Sequence, residues 1–234
     1  MLLLPKKFLR SFFISVCCVA SSTCLIAQDA SQLGFSDLQS QANALVEQGQ
    51  LNEALPLLEE LIKRVDGSDN SDFSLDFPIF LTGTAYIQRY VNTGNAGELN
   101  RALEWYDRLE KDYPNSANLK QATLKRIDVL RALKRTDDAI KLMQAVLSGQ
   151  KPVNLTFTEQ IKMLKDLCQI YYGRGELTQG IPYFKQLVET ARSVEDKSLG
   201  AAATFEAQVE AKQLDEAIKM LPLLAKESSV TCLV

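Results

Sequence analysis

The chain contains no histidine. Imidazole is the commonest general base near neutral pH and the commonest metal ligand, so its absence excludes a Ser-His-Asp triad, a His-based zinc site and an HExxH protease. Proline and glycine are scarce, at 7 and 11 residues in 234. That argues against a long disordered region and against a turn-rich sheet protein. Excess positive charge is also missing. The first 27 residues carry Lys6, Lys7 and Arg10 and no acid; without them 23 basic and 29 acidic side chains remain, a net of −6. Such a balance is a poor match for phosphate backbones, whose binding leans on Lys and Arg, and for broad attraction to anionic lipid. Of five cysteines, Cys17, Cys18 and Cys24 lie in those first residues, which leaves Cys168 and Cys232. This is not a disulfide-built domain, although a bridge between these two stays open.

What is present begins with an export signal. Three positive charges precede the uncharged stretch Ser11 to Ala27. That stretch is short for a spanning helix, which needs about 20 residues, but it suits a secretory signal with small residues near its end. Cleavage is placed near Ala27, with Ala20-Ser21-Ser22 as the other small-x-small site. Two alternatives stay open: lipidation at Cys24, and an uncleaved anchor holding the body outside the cytoplasm. The expected location is the periplasm or the exterior.

The body carries a repeated core. A small residue, an aliphatic, then bulky apolar residues recur five times, as in LNEALPLLEEL (51–61), LNRALEWYDRL (99–109) and LDEAIKMLPLL (214–224). The small residues are Ala54, Ala102, Ala139, Gly180 and Ala217, spaced by 48, 37, 41 and 37. A period near 34 to 40 with this pattern marks stacked helical hairpins.

Periodicity places helices near 35–48 and 52–64, 78–92 and 98–112, 117–134 and 136–148, an unbounded repeat 4 pair around Leu164 and Phe184, and 196–212 and 214–227. Gly49 and Gly175 turn the chain between partners, and Pro114 is a firm stop because proline cannot continue the helical hydrogen-bond ladder. The resulting division is a signal over 1–27, a first repeat within 28–66, a Ser/Asp-rich linker at 67–77, repeats 2–5 over 78–227 and a tail at 228–234. In repeat 5, Ala201, Phe205 and Val209 are expected to face Ala217, Leu221 and Leu224, with a kink or early end at Pro222.

On these residues the chain resembles the tetratricopeptide repeat family. The resemblance is carried by ALVEQGQLNEALPLLEELI (44–62), TGNAGELNRALEWYDRLEKDYP (93–114) and LCQIYYGRGELTQGIPYFKQLV (167–188), and more weakly by 128–147 and 210–224. In the family pattern Cys168 and Tyr171 take the small and aromatic places of a first helix, and Gly180, Phe184 and Leu187 those of a second. The resemblance covers about residues 35–227. It implies an all-α fold, a right-handed superhelix of about five antiparallel helical hairpins, and a non-catalytic interaction module whose first helices line a concave surface.

A stripe opposite the core in the first helix of repeat 4 contains Lys162, Lys165, Gln169 and Tyr172. Repeat 3 offers Gln121, Leu124, Asp128 and Arg131, and repeat 1 offers Gln39, Asn43 and Val46. The expected partner-binding residues are Lys162, Lys165, Gln169, Tyr172, Asp128 and Arg131, receiving a protein or peptide with acidic groups. The family's carboxylate clamp is not met, because Gln39 rather than Lys precedes Asn43. Asp66, Asp69, Asp72 and Asp76 lack the central glycine and terminal glutamate of an EF-hand. Glu59-Glu60 and Asp137-Asp138 are sequence neighbours and do not form facing carboxylate pairs. Neither metal nor cofactor is expected. The function expected is an exported scaffold or adaptor in envelope complex assembly; the alternative is the N-terminal helical-repeat region of a larger envelope enzyme or secretion component.

Overall fold

A computed structural model describes residues 30–67 and 73–224. Every regular element among them is helical. After a 3₁₀ turn at Ala30–Gln32 come α1 (Phe35–Glu47), α2 (Leu51–Asp66), α3 (Asp76–Thr93), α4 (Ala96–Asp112) and α5 (Leu119–Ala132). Then follow α6 (Thr136–Leu147), α7 (Phe157–Arg174), α8 (Leu177–Thr190), α9 (Val194–Glu210) and α10 (Leu214–Ile218). The chain forms two compact units, Met1–Val129 and Leu130–Val234. The signal, the tail, Cys232, Asp69 and Asp72 lie outside the described residues.

In the first unit α1 packs on α2, α2 on α3 and α3 on α4. Helix α2 buries two faces. Ala54, Leu57, Leu58 and Leu61 join Leu38 and Ala42 of α1 in one core. Leu55, Ile62 and Val65 join Ile79 and Tyr86 of α3 and Ala102, Tyr106 and Leu109 of α4 in another. Apolar residues at three- and four-residue steps supply both faces, and their burial removes them from water at about 25 cal/mol per Å². Arg64 fixes the entry to this unit by donating to the carbonyls of Ala30, Ser31 and Leu33 and to Glu60.

The second unit pairs α7 with α8, α8 with α9 and α9 with α10. The five small residues of the repeat are all buried. They let helices approach where a larger side chain would overpack. Helix α7 starts on a capping box: Thr156 Oγ1 accepts from the Glu159 N–H, and Glu159 accepts from the Thr156 N–H. Two donors that the helix leaves unpaired are thereby satisfied.

Four helix ends turn in the same way. Gly49, Lys134, Gly175 and Lys212 each stand five residues before the small residue and each has a left-handed φ, of 72°, 59°, 67° and 58°. The following N–H bonds back five residues, as from Gln50 to the Leu45 carbonyl and from Arg135 to the Leu130 carbonyl. This is the Schellman closure of a helix C-terminus.

Three sequence expectations are corrected here. Helix α3 starts at Asp76, inside the stretch read as linker, so Phe77 is helical. In α9 Ala201 is buried as expected, beside Ser198, Gly200, Ala203, Thr204, Ala207 and Gln208, but Val209 is exposed and Phe205 only half-buried. The small face wins because Gly200 sits against the backbone of α8, which no bulky stripe would allow. In place of one helix ending or kinking at Pro222, α10 stops at Ile218, and a turn at 219–220 precedes a short helical stretch at 221–224 that contains Pro222.

Candidate partner-binding surfaces

The first unit opens a cleft of about 430 Å³ between α1 and α3. Gln39, Asn43, Val46 and Glu47 form one wall, and Phe73, Phe77, Pro78 and Leu81 the other. Leu58 and Leu61 of α2 form the floor and are buried. The α1 residues share a face because they are spaced by three, four or neighbouring steps. Phe77 is 47% exposed, although a phenyl ring gains most by burial. It is held there because its neighbours Pro78 and Ile79 take the core positions at the start of α3. Asp76 fastens that helix start. Burial would raise its pKa, but hydrogen bonds from Ser116, Ser74, the Phe77 N–H and Asn118 outweigh this and hold the carboxyl below its ordinary value.

The sequence reading reached Gln39, Asn43 and Val46 but missed Phe73 and Phe77. Their signal was available only as two phenylalanines in an otherwise Ser/Asp-rich stretch.

In the second unit the charges of the α7 stripe are matched within the chain. Lys165 Nζ lies 2.7 Å from Asp196 Oδ1 of α9. That bond raises the pKa of Lys165 and lowers that of Asp196. Lys162 lies 3.4 Å from Asp166, which Arg131 also meets at 3.0 Å. Tyr172 donates to Glu206 at 2.6 Å, and the bonded carboxylate raises the phenol's pKa. Gln169 is exposed, as is Asp128 of the first unit.

The remaining candidates have structural roles. Trp105 packs against the core of the first unit, with the Arg108 guanidinium 5.6 Å from its ring centroid. Asp66 pairs with Arg108 at 2.6 Å. Glu59 accepts from Tyr86, Glu60 pairs with Arg64, and Asp137 pairs with Arg174. Burial pushes the Cys168 thiol up to about 12, the opposite of what a reactive thiolate needs. Among the described residues no group of His, Cys, Asp and Glu is placed to hold a metal ion, and no helix is long and apolar enough to cross a membrane.

The tetratricopeptide repeat family model matches residues 40–117. No curated protein matches the chain. Among solved structures, the chain is similar to the kinesin light chain nearly identical TPR-like repeats of Podosopora anserina, at 15% identity and a TM-score of 0.48, covering 89% of this chain and 100% of that one. It is also similar to MamA 41-end from Desulfovibrio magneticus RS-1, at 18% identity and a TM-score of 0.47, covering 83% of this chain and 96% of that one. The segment 40–117, which runs from within α1 to just beyond α4, is thus similar in sequence to tetratricopeptide repeats, and within each unit the helices pack on their neighbours in sequence.

Proposed function

We propose that this protein is an exported, non-catalytic scaffold that binds a segment of a partner protein in the cleft between α1 and α3, within an envelope complex. Tetratricopeptide repeats generally mediate protein–protein interaction. The observation that carries the reading is the cleft itself, where an exposed phenyl ring at Phe77 stands over a buried aliphatic floor and faces the amides of Gln39 and Asn43. Such an arrangement of apolar surface with a few convergent polar groups suits a ligand site. Export rests on the basic start and the uncharged stretch Ser11 to Ala27. The protein then works in the periplasm or outside the cell, released or anchored by that stretch. Acidic partners at Lys162, Lys165 and Arg131 would have to displace Asp166 and Asp196, so the α7 stripe is the weaker receptor and contributes Gln169 and the Tyr172 ring.

A photo-crosslinking amino acid placed at position 77, at position 43 and at the exposed Glu104 of α4 tests this in intact cells. The expected result is one envelope protein captured from positions 77 and 43 and not from position 104. Capture of the same proteins from all three positions, or of cytoplasmic proteins alone, overturns the proposal.

A further inference from the structure

The chemistry of the α1/α3 cleft selects the kind of segment it takes. No lysine or arginine lines it, and its single ionisable side chain is Glu47. Among the described residues Glu47 has no ion-pair partner and is exposed at the end of α1. A ligand carboxylate entering the cleft would lose water and find no cation, which is costly. An apolar side chain would gain by covering Phe77, Val46 and Leu81. Gln39 and Asn43 each offer both a donor and an acceptor, so they can meet the N–H and C=O groups of an extended backbone.

We infer that the occupant is an extended, partner-derived peptide segment with a large apolar residue seated against Phe73, Phe77 and Leu81 and a lysine or arginine beside Glu47. The inference rests on the reading of this cleft as the partner site. It reverses the sign of charge expected from the α7 stripe, whose cations are held within the chain.

The test uses the full chain and two fluorescein-labelled peptides, GSKLAFKLGS and GSELAFELGS, read by fluorescence anisotropy. The lysine peptide should bind about threefold to tenfold more tightly, as expected of a few partly exposed charge contacts. Glu47→Lys should reverse that order, and Asn43→Ala should weaken both peptides. Phe77→Asp should abolish both, with circular dichroism melts confirming that each variant folds.

Equal or tighter binding of the glutamate peptide, an order unchanged in Glu47→Lys, or no binding of either peptide overturns the inference. If the order fails but Phe77→Asp still loses both peptides, the cleft remains the partner site and only the charge assignment falls. If Phe77→Asp binds like the unaltered chain, the cleft itself is not the site. Dimerisation that Phe77→Asp abolishes would assign the cleft to a second copy. Lysine-peptide binding that appears only after removal of residues 1–27 would assign it to the chain's own leading segment. Either result overturns the inference.

Discussion

Gly200 of α9 lies against the main-chain oxygen of Phe184 in α8, so closely that a Cβ at position 200 would sit 2.9 Å from that oxygen. The Phe184 ring in turn covers Gly180, where a Cβ would fall 2.2 Å from the ring. Phe184 is fully buried, so neither its backbone nor its ring can withdraw without moving the core. Gly200→Ala should therefore destabilise the protein, with overpacking of about 1–3 kcal/mol exceeding the helix-propensity gain of about 1 kcal/mol. Gly173, a helical glycine in α7 with nothing within 4 Å of its added Cβ, is the control. Gly173→Ala should stabilise by up to about 1 kcal/mol. Urea unfolding of the two variants checks the opposite signs.

The hairpin turns yield a second prediction. Lys134 and Lys212 hold the left-handed conformation that glycine supplies at Gly49 and Gly175. A side chain there costs about 1–2 kcal/mol, partly offset by glycine's greater entropy loss on folding. Lys134→Gly and Lys212→Gly should each raise stability by about 1 kcal/mol or less, and Gly49→Lys should lower it by a similar amount. Thermal melts of the three variants would show it. A fall in stability on Lys134→Gly would contradict the turn geometry.

The helices were legible because their punctuation is local. Gly49, Gly175 and Pro114 end or turn the chain where they stand, and the apolar steps of α2 and α7 repeat at the helical period. The face of α9 was legible only at Ala201. A hydrophobicity pattern continues it to Phe205 and Val209, whereas close backbone approach at Gly200 favours Thr204 and Ala207. The partners of the α7 stripe were hidden for another reason. Lys165 meets an acid 31 residues away and Tyr172 one 34 residues away, and only the packing of α7 beside α9 brings them together. Phe77 was missed because the acid-rich stretch before it reads as a loop.

Cys168 should resist thiol reagents in the folded protein. Burial raises its pKa from 9.0 to about 12, and both low exposure and loss of thiolate slow the reaction. Iodoacetamide at pH 8 should modify Cys168 slowly in buffer and quickly in denaturant, as read by mass spectrometry of the peptide that contains it. The same shift carries a pH dependence. Between pH 9 and 12 the unfolded thiol ionises while the folded one stays protonated, so the folded state binds more protons and stability falls as pH rises. Cys168→Ala should flatten that part of the pH–stability curve. An unchanged slope would remove the thiol as its source.

Two glutamines in the second unit should respond to the same substitution with opposite signs. Gln144 donates to the Tyr171 hydroxyl at 2.8 Å. Gln208 occupies in α9 the place that Tyr171 holds in α7, 37 residues earlier, and is fully buried. Among the described residues neither of its amide atoms has a hydrogen-bond partner. An unpaired buried polar group carries a desolvation cost of about 1–3 kcal/mol, whereas a paired one contributes about 0.5–1.5 kcal/mol. Methionine has a similar length and no amide to desolvate. Gln208→Met should therefore raise stability and Gln144→Met should lower it, in parallel urea titrations. If Gln208→Met lowers stability as much as Gln144→Met does, the Gln208 amide is satisfied in solution and the small-residue face of α9 has a polar partner to be found.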